Sequence, residues 1–138
     1  MSLPVKILIV GNIRKGDSVL LRKKFHGAKP YIETWYSFGC ELKPDESPKD
    51  TFIQYIKECL GIVVAPLNHL SWDSETKVDH DEIRKFFIYL EIECDYLSGK
   101  IAVPKDLEKV EFVPVSDLSK LDIVPPSMKM FKRLGYIK

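Results

Sequence analysis

The chain has 138 residues, the size of one domain, and we expect residues 1–138 to form a single domain. With 45% hydrophobic and 30% charged residues, the composition is that of a globular protein and excludes disordered, collagen-like and long coiled-coil chains. Because 21 basic residues balance 20 acidic ones, the chain has no global field to attract nucleic acid or an anionic membrane, and we expect neither as a partner.

The pattern of apolar, polar and turn residues predicts the following elements along the chain. Strands are predicted over residues 5–13, 18–24, 34–42, 62–72, 83–94 and 110–115, a charged loop over 76–82, a turn over 117–121 and a C-terminal helix over 126–134. The turn residue Gly16 makes the first two strands a hairpin. Gly39 breaks the regularity of the third strand, and Pro66 interrupts the fourth.

The clearest predicted element is a helix over residues 48–60. Ser47 is an N-cap candidate, Pro48 suits the first helical position, and Gly61 suits a helix end that needs positive φ. Apolar residues between these ends follow helical spacing: Phe52, Ile53, Ile56 and Leu60. The element order β-β-β-α-β-β-β-α predicts one α/β domain with a mixed sheet covered by helices.

The cysteines and the apolar stretches indicate the cellular compartment of the protein. The longest apolar stretches, residues 7–10 and 86–90, fall far below the roughly 20 residues of a membrane span, and no signal peptide is recognisable. Three cysteines without a CxxC pair fit a reducing compartment better than a disulfide framework. We therefore expect a cytoplasmic protein.

Residues 40–62 resemble the signature of the Nudix hydrolases, G-x5-E-x7-R-E-U-x-E-E-x-G-U, in which U is aliphatic. Five of the nine fixed positions are kept: Glu46, Ile56, Glu58, Gly61 and Ile62. Four differ: Cys40, Gln54, Tyr55 and Cys59. The resemblance implies an α/β/α sandwich with a mixed sheet flanked by helices. It also implies hydrolysis of a nucleoside-diphosphate-linked substrate, as a pyrophosphohydrolase or a sugar-nucleotide hydrolase.

The resemblance also implies a metal site. In that family, carboxylates on one face of the box helix hold Mg²⁺ or Mn²⁺, and the preceding loop adds a backbone carbonyl. By resemblance, Glu58 is a catalytic residue and a metal ligand, and Gly39 supplies the carbonyl. Since the two other ligand positions hold Tyr55 and Cys59, the implied metal site is weakened or rearranged.

The resemblance also implies structural roles for three further box positions. The family's first glutamate pairs with its arginine and holds the loop to the helix. Here the pair is Glu46 and Gln54, which replaces an ion pair by a hydrogen bond, and Gly61 ends the helix.

Candidate residues outside the box complete the predicted site. The resemblance to GDP-mannose mannosyl hydrolases, which use a loop histidine as base, makes His80 a candidate catalytic base. Arg22 belongs to a basic cluster with Lys23, Lys24 and Lys29 and is a candidate phosphate ligand. Trp35 is a candidate for stacking on a nucleobase, and core packing is an alternative of at least equal weight.

Two functions follow, and the sequence leaves both open. In the first, the chain hydrolyses a nucleotide or nucleotide sugar through a rearranged site. In the second, the chain is a catalytically inactive Nudix-fold module that binds a nucleotide or a protein. A homodimer is an additional expectation, since Nudix relatives often dimerise.

Overall fold

The computed structural model of the chain describes residues 2–28 and 30–138. Within these residues, seven strands form one sheet with two α-helices packed on it. The strands are β1 (Val5–Lys15), β2 (Ser18–Lys24), β3 (Trp35–Tyr36), β4 (Phe38–Glu41), β5 (Val63–Val78), β6 (Arg84–Ser98) and β7 (Leu107–Pro114). The helices are α1 (Pro48–Leu60) and α2 (Pro125–Arg133), and a 3₁₀ helix over Val115–Lys120 precedes α2. The predicted α/β class, with a mixed sheet flanked by helices, is confirmed.

The sheet is mixed because β1 runs parallel to β6 but antiparallel to β2 and β4. The strand order is β3-β2-β1-β6-β5, with β4 paired to β1 and β7 paired to β2. As the hairpin prediction requires, β1 and β2 pair at Arg14–Val19 and Lys15–Ser18. Beyond these pairs the two strands diverge, and β4 takes the place beside β1. The divergence opens one end of the sheet.

Alternating residues of β2 face opposite sides of the sheet, and this separates the core into two apolar clusters. Leu20 belongs to the cluster under α1, together with Ile9, Ile13, Phe52, Ile56 and Leu60. Val19 and Leu21 belong to the cluster under α2, together with Trp35, Leu118, Met130 and Phe131. Each helix therefore covers one face of the sheet.

The helix predicted over residues 48–60 forms with those bounds. Ser47 occupies the N-cap position and its carbonyl accepts the first helical hydrogen bond, from Thr51 N–H at 2.9 Å. Gly61 ends the helix with φ of 77°, which an L side chain adopts only with strain. Neither helix of the described part of the chain has the length and apolar character that crossing a bilayer requires.

Three sequence predictions differ from the observed structure. The strand predicted over 34–42 is split at Ser37, because β3 pairs with β2 while β4 pairs with β1 and the two partners diverge. The charged loop predicted over 76–82 is shorter, because β5 continues along β6 as far as Val78. At Pro66 the strand is not interrupted, but its register shifts before Asn68, as an edge strand allows.

Candidate functional site

A cavity of about 270 Å³ lies at the open end of the sheet, where β1 and β2 diverge. Its walls come from β1 to β6, the loops after β2 and β5, and the start of α2. Four cationic side chains line it: Lys6, Arg22, Lys24 and Lys77. Four aromatic side chains line it as well: Tyr31, Tyr36, Phe87 and Tyr89. The one carboxylate among its described lining residues is Asp79.

One wall of the cavity is an aromatic surface built around Lys77. The ammonium of Lys77 lies 4.2 Å from the ring centre of Tyr31 and 4.4 Å from that of Phe87. It donates a hydrogen bond to the hydroxyl of Tyr89 at 2.8 Å and pairs with Glu75 at 2.8 Å. Burial lowers the pKa of Lys77, although Glu75 opposes this shift. The same burial raises the pKa of Tyr31 and of Tyr89, so both phenols are neutral near pH 7.

A second wall contains the buried carboxylate of Asp79. It accepts hydrogen bonds from Lys6 at 3.0 Å and Lys85 at 2.9 Å, and from the backbone N–H of His80 at 2.8 Å. Burial acts to raise the pKa of Asp79, but these bonds outweigh it and hold the pKa well below its ordinary range. The carboxylate is therefore ionised and paired with Lys6 and Lys85. Since Lys77 is paired with Glu75, Arg22 and Lys24 are the cavity cations that form no ion pair with the described residues.

His80 lies beside this carboxylate at the cavity wall. Its Nδ1 is 3.0 Å from Oδ1 of Asp79, and its side chain is 69% exposed. When Nδ1–H donates to Asp79, the lone pair of Nε2 is left to accept a proton.

Arg22 crosses from β2 toward α1 and is held in one orientation. Its Nε–H donates to the carbonyl of Ser37 at 3.2 Å, and its Nη1 donates to the hydroxyl of Tyr55 at 3.2 Å. The guanidinium carbon lies 4.0 Å from the ring centre of Tyr36 and 4.9 Å from that of Phe38. Burial raises the pKa of Tyr55 to about 12, so the phenol that receives this bond is neutral.

The other members of the predicted basic cluster have different surroundings. Lys24 is buried, and its ammonium donates to the carbonyls of Ala28 and Tyr31, which ties the loop after β2 to the cavity. Lys23 points away from the cavity and pairs with Glu108 at 2.8 Å. Lys29 lies outside the described residues.

The box glutamates lie apart from the cavity walls. Glu58 is exposed and accepts a hydrogen bond from the side chain of Gln54 at 2.7 Å, one helical turn earlier. Glu46 accepts from the backbone N–H of Lys43 at 2.7 Å. The predicted bond between Glu46 and Gln54 is therefore replaced by two local bonds, one closing the loop and one on the helix surface.

The residues of the box do not fit the divalent metal that the fold family implies. Its three ligand positions present the neutral phenol of Tyr55, the carboxylate of Glu58 and the thiol of Cys59, whose pKa is raised by burial. Mg²⁺ and Mn²⁺ bind carboxylate and carbonyl oxygens, and neutral phenols and thiols do not replace them. Across residues 2–28 and 30–138, no group of three or more His, Cys, Asp or Glu side chains is placed to hold a metal ion.

The remaining predicted residues have clear positions. Gly39 lines the cavity, and a Cβ there would lie 2.9 Å from the carbonyl oxygen of Ile9, so the close approach of β4 to β1 requires glycine. Trp35 is 7% exposed in the cluster under α2, and its ring faces core residues rather than the cavity. Core packing, the alternative considered for Trp35, is what the structure shows.

The structure thus brings together Arg22, Gly39 and His80 of the predicted site residues. Sequence reasoning missed Lys6, Tyr31, Lys77, Phe87 and Tyr89, which come from four separate segments. A local signal existed only in β6, where the buried Phe87 and Tyr89 alternate with half-buried residues and therefore share one face.

Comparison with known proteins finds solved structures of similar fold. No family model matches the chain, and no curated protein does. Among solved structures, the MutT protein of Methanosarcina mazei is similar, with a TM-score of 0.79, 18% identity, and coverage of 98% of this chain and 96% of the other.

Two further similar structures involve ADP-ribose. An ADP-ribose pyrophosphatase of Streptococcus suis has a TM-score of 0.66 and 19% identity, over 95% of this chain and 87% of its own. The Nudix domain of Shewanella oneidensis NrtR, solved with ADP ribose, has a TM-score of 0.69 and 13% identity, over 98% of this chain and 88% of its own. At these identities the likeness establishes the fold of this chain, while the ligands and activities named are those of the other proteins.

Proposed function

We propose that this chain, which has the Nudix fold, binds a nucleoside diphosphate or a nucleotide sugar in the cavity between β1 and β2. The observation that carries the proposal is the presence of four cationic and four aromatic side chains in one cavity, where two of the cations, Arg22 and Lys24, form no ion pair with the described residues. Cations accept phosphate groups, and aromatic faces stack on a nucleobase.

The size and the lining of the cavity support this ligand class. At about 270 Å³, the cavity approaches the lower end of the range for small-molecule sites. Its apolar wall near Leu8 and Val10 adds desolvated surface, and the cations lie at its sides. Of two structures with the same fold, one is an ADP-ribose pyrophosphatase and the other was solved with ADP ribose bound. ADP ribose is a nucleoside diphosphate joined to a sugar.

The proposal is tested by isothermal titration calorimetry with ADP, ADP-ribose, UDP-glucose and GDP-mannose. We expect at least one of these ligands to bind and to raise the melting temperature. Lys6→Ala removes a cavity cation and should weaken that ligand several-fold, whereas Lys43→Ala, in an exposed loop, should leave affinity unchanged. Absence of binding across the panel, or equal affinity in the two variants, would contradict the proposal.

Hydrolysis is the second candidate function, and one observation favours it: the contact between Nδ1 of His80 and Asp79 at 3.0 Å. A histidine held by a carboxylate through Nδ1 has Nε2 placed to take a proton from water. Glu58, the other predicted catalytic residue, is held by Gln54 on the surface of α1, and its role remains a prediction.

The two functions are separated by following the same ligands for release of phosphate or nucleoside monophosphate. Turnover that is abolished in His80→Asn and retained in His69→Asn would establish catalysis by the loop histidine. Full turnover in Glu58→Gln would remove Glu58 from the mechanism. Binding without turnover in the wild-type chain would identify a binding module.

A further inference from the structure

We infer that the guanidinium of Arg22 is a fixed cation that binds the ligand's phosphate groups in place of a divalent metal, so that nucleotide binding by this chain needs no metal. The inference rests on the proposed nucleotide binding and specifies how the phosphates are held. It starts from the mismatch between the box residues and a divalent cation.

The positions at which this chain departs from the box lie around Arg22. The hydroxyl of Tyr55 accepts a hydrogen bond from Nη1 of Arg22 at 3.2 Å. Burial raises the pKa of Cys59 and of Cys40, and the charge of Arg22 opposes this rise at both thiols. Three positions that hold carboxylates or glycine in the signature therefore present neutral groups near one guanidinium.

The charge of Arg22 is oriented but not neutralised. No carboxylate of the described residues lies within ion-pair distance of Arg22. Its partners are a carbonyl, a phenol and the rings of Tyr36 and Phe38, all of which are uncharged. Carboxylates at positions 55 and 59 would instead pair with Arg22 and cancel its charge.

Arg22 also keeps hydrogen-bond donors for a ligand. A guanidinium carries five N–H groups, and Nε and Nη1 each use one on the protein. Within the part of the chain that the structure describes, Nη2 has no acceptor, and Arg22 lines the cavity. Two parallel N–H groups match two phosphate oxygens, as a planar guanidinium does in bidentate phosphate contacts.

The surroundings of the Arg22 guanidinium disfavour a divalent cation. Arg22 carries one positive charge, and Tyr55 and Cys59, the ligand positions nearest to it, are neutral and do not offset a second cation. Two cations that share neutral surroundings repel each other strongly when water is partly excluded. The same cavity therefore favours a phosphate group and disfavours Mg²⁺.

The experiment measures the affinity of ADP and of inorganic pyrophosphate by calorimetry, in EDTA and in Mg²⁺. We expect wild-type affinities that agree within about twofold between the two buffers. Arg22→Met, which keeps an apolar stem of similar length, should lose about tenfold or more, and Arg22→Lys should lie between the two because it lacks the planar fork. Lys23→Met, one residue away and outside the cavity, is the matched control and should bind like wild type.

Two more variants keep the inference falsifiable if Arg22→Met folds poorly. Tyr55→Phe removes the oxygen that orients Arg22 and should weaken ADP several-fold without introducing metal dependence. Tyr55→Glu/Cys59→Glu should neutralise Arg22 and make ADP binding depend on Mg²⁺. ADP binding by wild type that requires Mg²⁺, or unchanged affinity in Arg22→Met and Arg22→Lys, overturns the inference and leaves the proposed function standing. Failure of ADP and pyrophosphate to bind in both buffers overturns the inference, and the proposed function falls with it when ADP-ribose, UDP-glucose and GDP-mannose also fail to bind.

Discussion

Gly11 on β1 lies directly against the ring of Phe52 on α1. A Cβ built on Gly11 would lie 2.1 Å from Cζ of Phe52, and the ring is fully buried, so it has no free space to move into. This contact brings the first turns of α1 close to the sheet, and with them the segment that carries Gly39.

Gly11→Ala should therefore destabilise the protein by about 1–3 kcal/mol through overpacking. Urea unfolding followed by circular dichroism measures the effect. In a Phe52→Leu background the same substitution should cost less, because the smaller side chain leaves room for the added methyl group. Equal costs in the two backgrounds would show that the alanine acts on the backbone and not on the ring.

Asp79 predicts an acid-dependent loss of stability. Its pKa is lower in the folded protein than in the unfolded chain, so it stabilises the fold above its ordinary pKa of about 4 and loses this contribution as the pH falls further. Asp79→Asn should cost about 1–3 kcal/mol at pH 7 and flatten the stability curve below pH 4. Melting temperatures from pH 7 down to pH 3 test both; parallel curves for wild type and variant would rule out this role.

Glu91 and Arg133 form a pair beneath α2 with the opposite pH dependence. Glu91 is 4% exposed, its Oε2 contacts Nη2 of Arg133, and its Oε1 has no hydrogen-bond partner among the described residues. Burial raises the pKa of Glu91, and Arg133 opposes this. A carboxyl group with a raised pKa costs the folded state stability as the pH rises above its unfolded value of about 4.3.

Arg133→Met should therefore destabilise the protein by about 2–3 kcal/mol at pH 7 and by less at pH 4, where Glu91 is protonated. This loss of unfolding free energy is smaller than for a fully buried pair because the Arg133 side chain is 36% exposed. The double variant Arg133→Met/Glu91→Gln should recover part of the loss. Thermal unfolding at the two pH values measures this, and a penalty that grows toward pH 4 would contradict it.

The cysteines predict slow thiol chemistry at neutral pH. Burial raises the pKa of Cys40 to about 11 and that of Cys94 to about 12, and Cys94 is also fully buried. Alkylation of Cys40 by iodoacetamide should be slow at pH 7.5 and should still accelerate above pH 9, where an ordinary thiol has levelled off. Cys94 should react only after unfolding. Peptide mass spectrometry follows each site, and a plateau for Cys40 near pH 9 would refute the shift.

The parts of the fold that the sequence predicts best are those with local causes. Residues Ser47 to Gly61 contain a cap position, a proline at the start, a helical apolar stripe and a glycine at the end, and α1 has the predicted bounds. The end of β5 has no such signal. Lys77 falls in the charged loop predicted over 76–82, but it belongs to β5 and donates a hydrogen bond to Tyr89 on β6, a partner that the local sequence does not indicate.

In the candidate site too, some residues have a local sequence signal and others are brought together only by the fold. The box resemblance leads to Gly39, which directly precedes residues 40–62, and the basic cluster in the sequence leads to Arg22. Lys6 and Tyr31 become site residues only when β1, β6 and the loop after β2 meet in space. Glu58 shows the converse, since a position that matches the signature faces solvent and bonds within its own helix.

The divergence of β1 and β2 sets the backbone of the cavity by main-chain hydrogen bonds to β4 and β6, while the side chains that enter it come from alternate residues of those strands. Exchanging such a side chain leaves the ladder intact and the opposite face of the strand untouched. One backbone can thereby accept a different ligand, or stop transforming the one it holds, through a handful of substitutions that cost the fold little. Proteins built on this fold can therefore evolve new ligand specificity more readily than a new backbone structure.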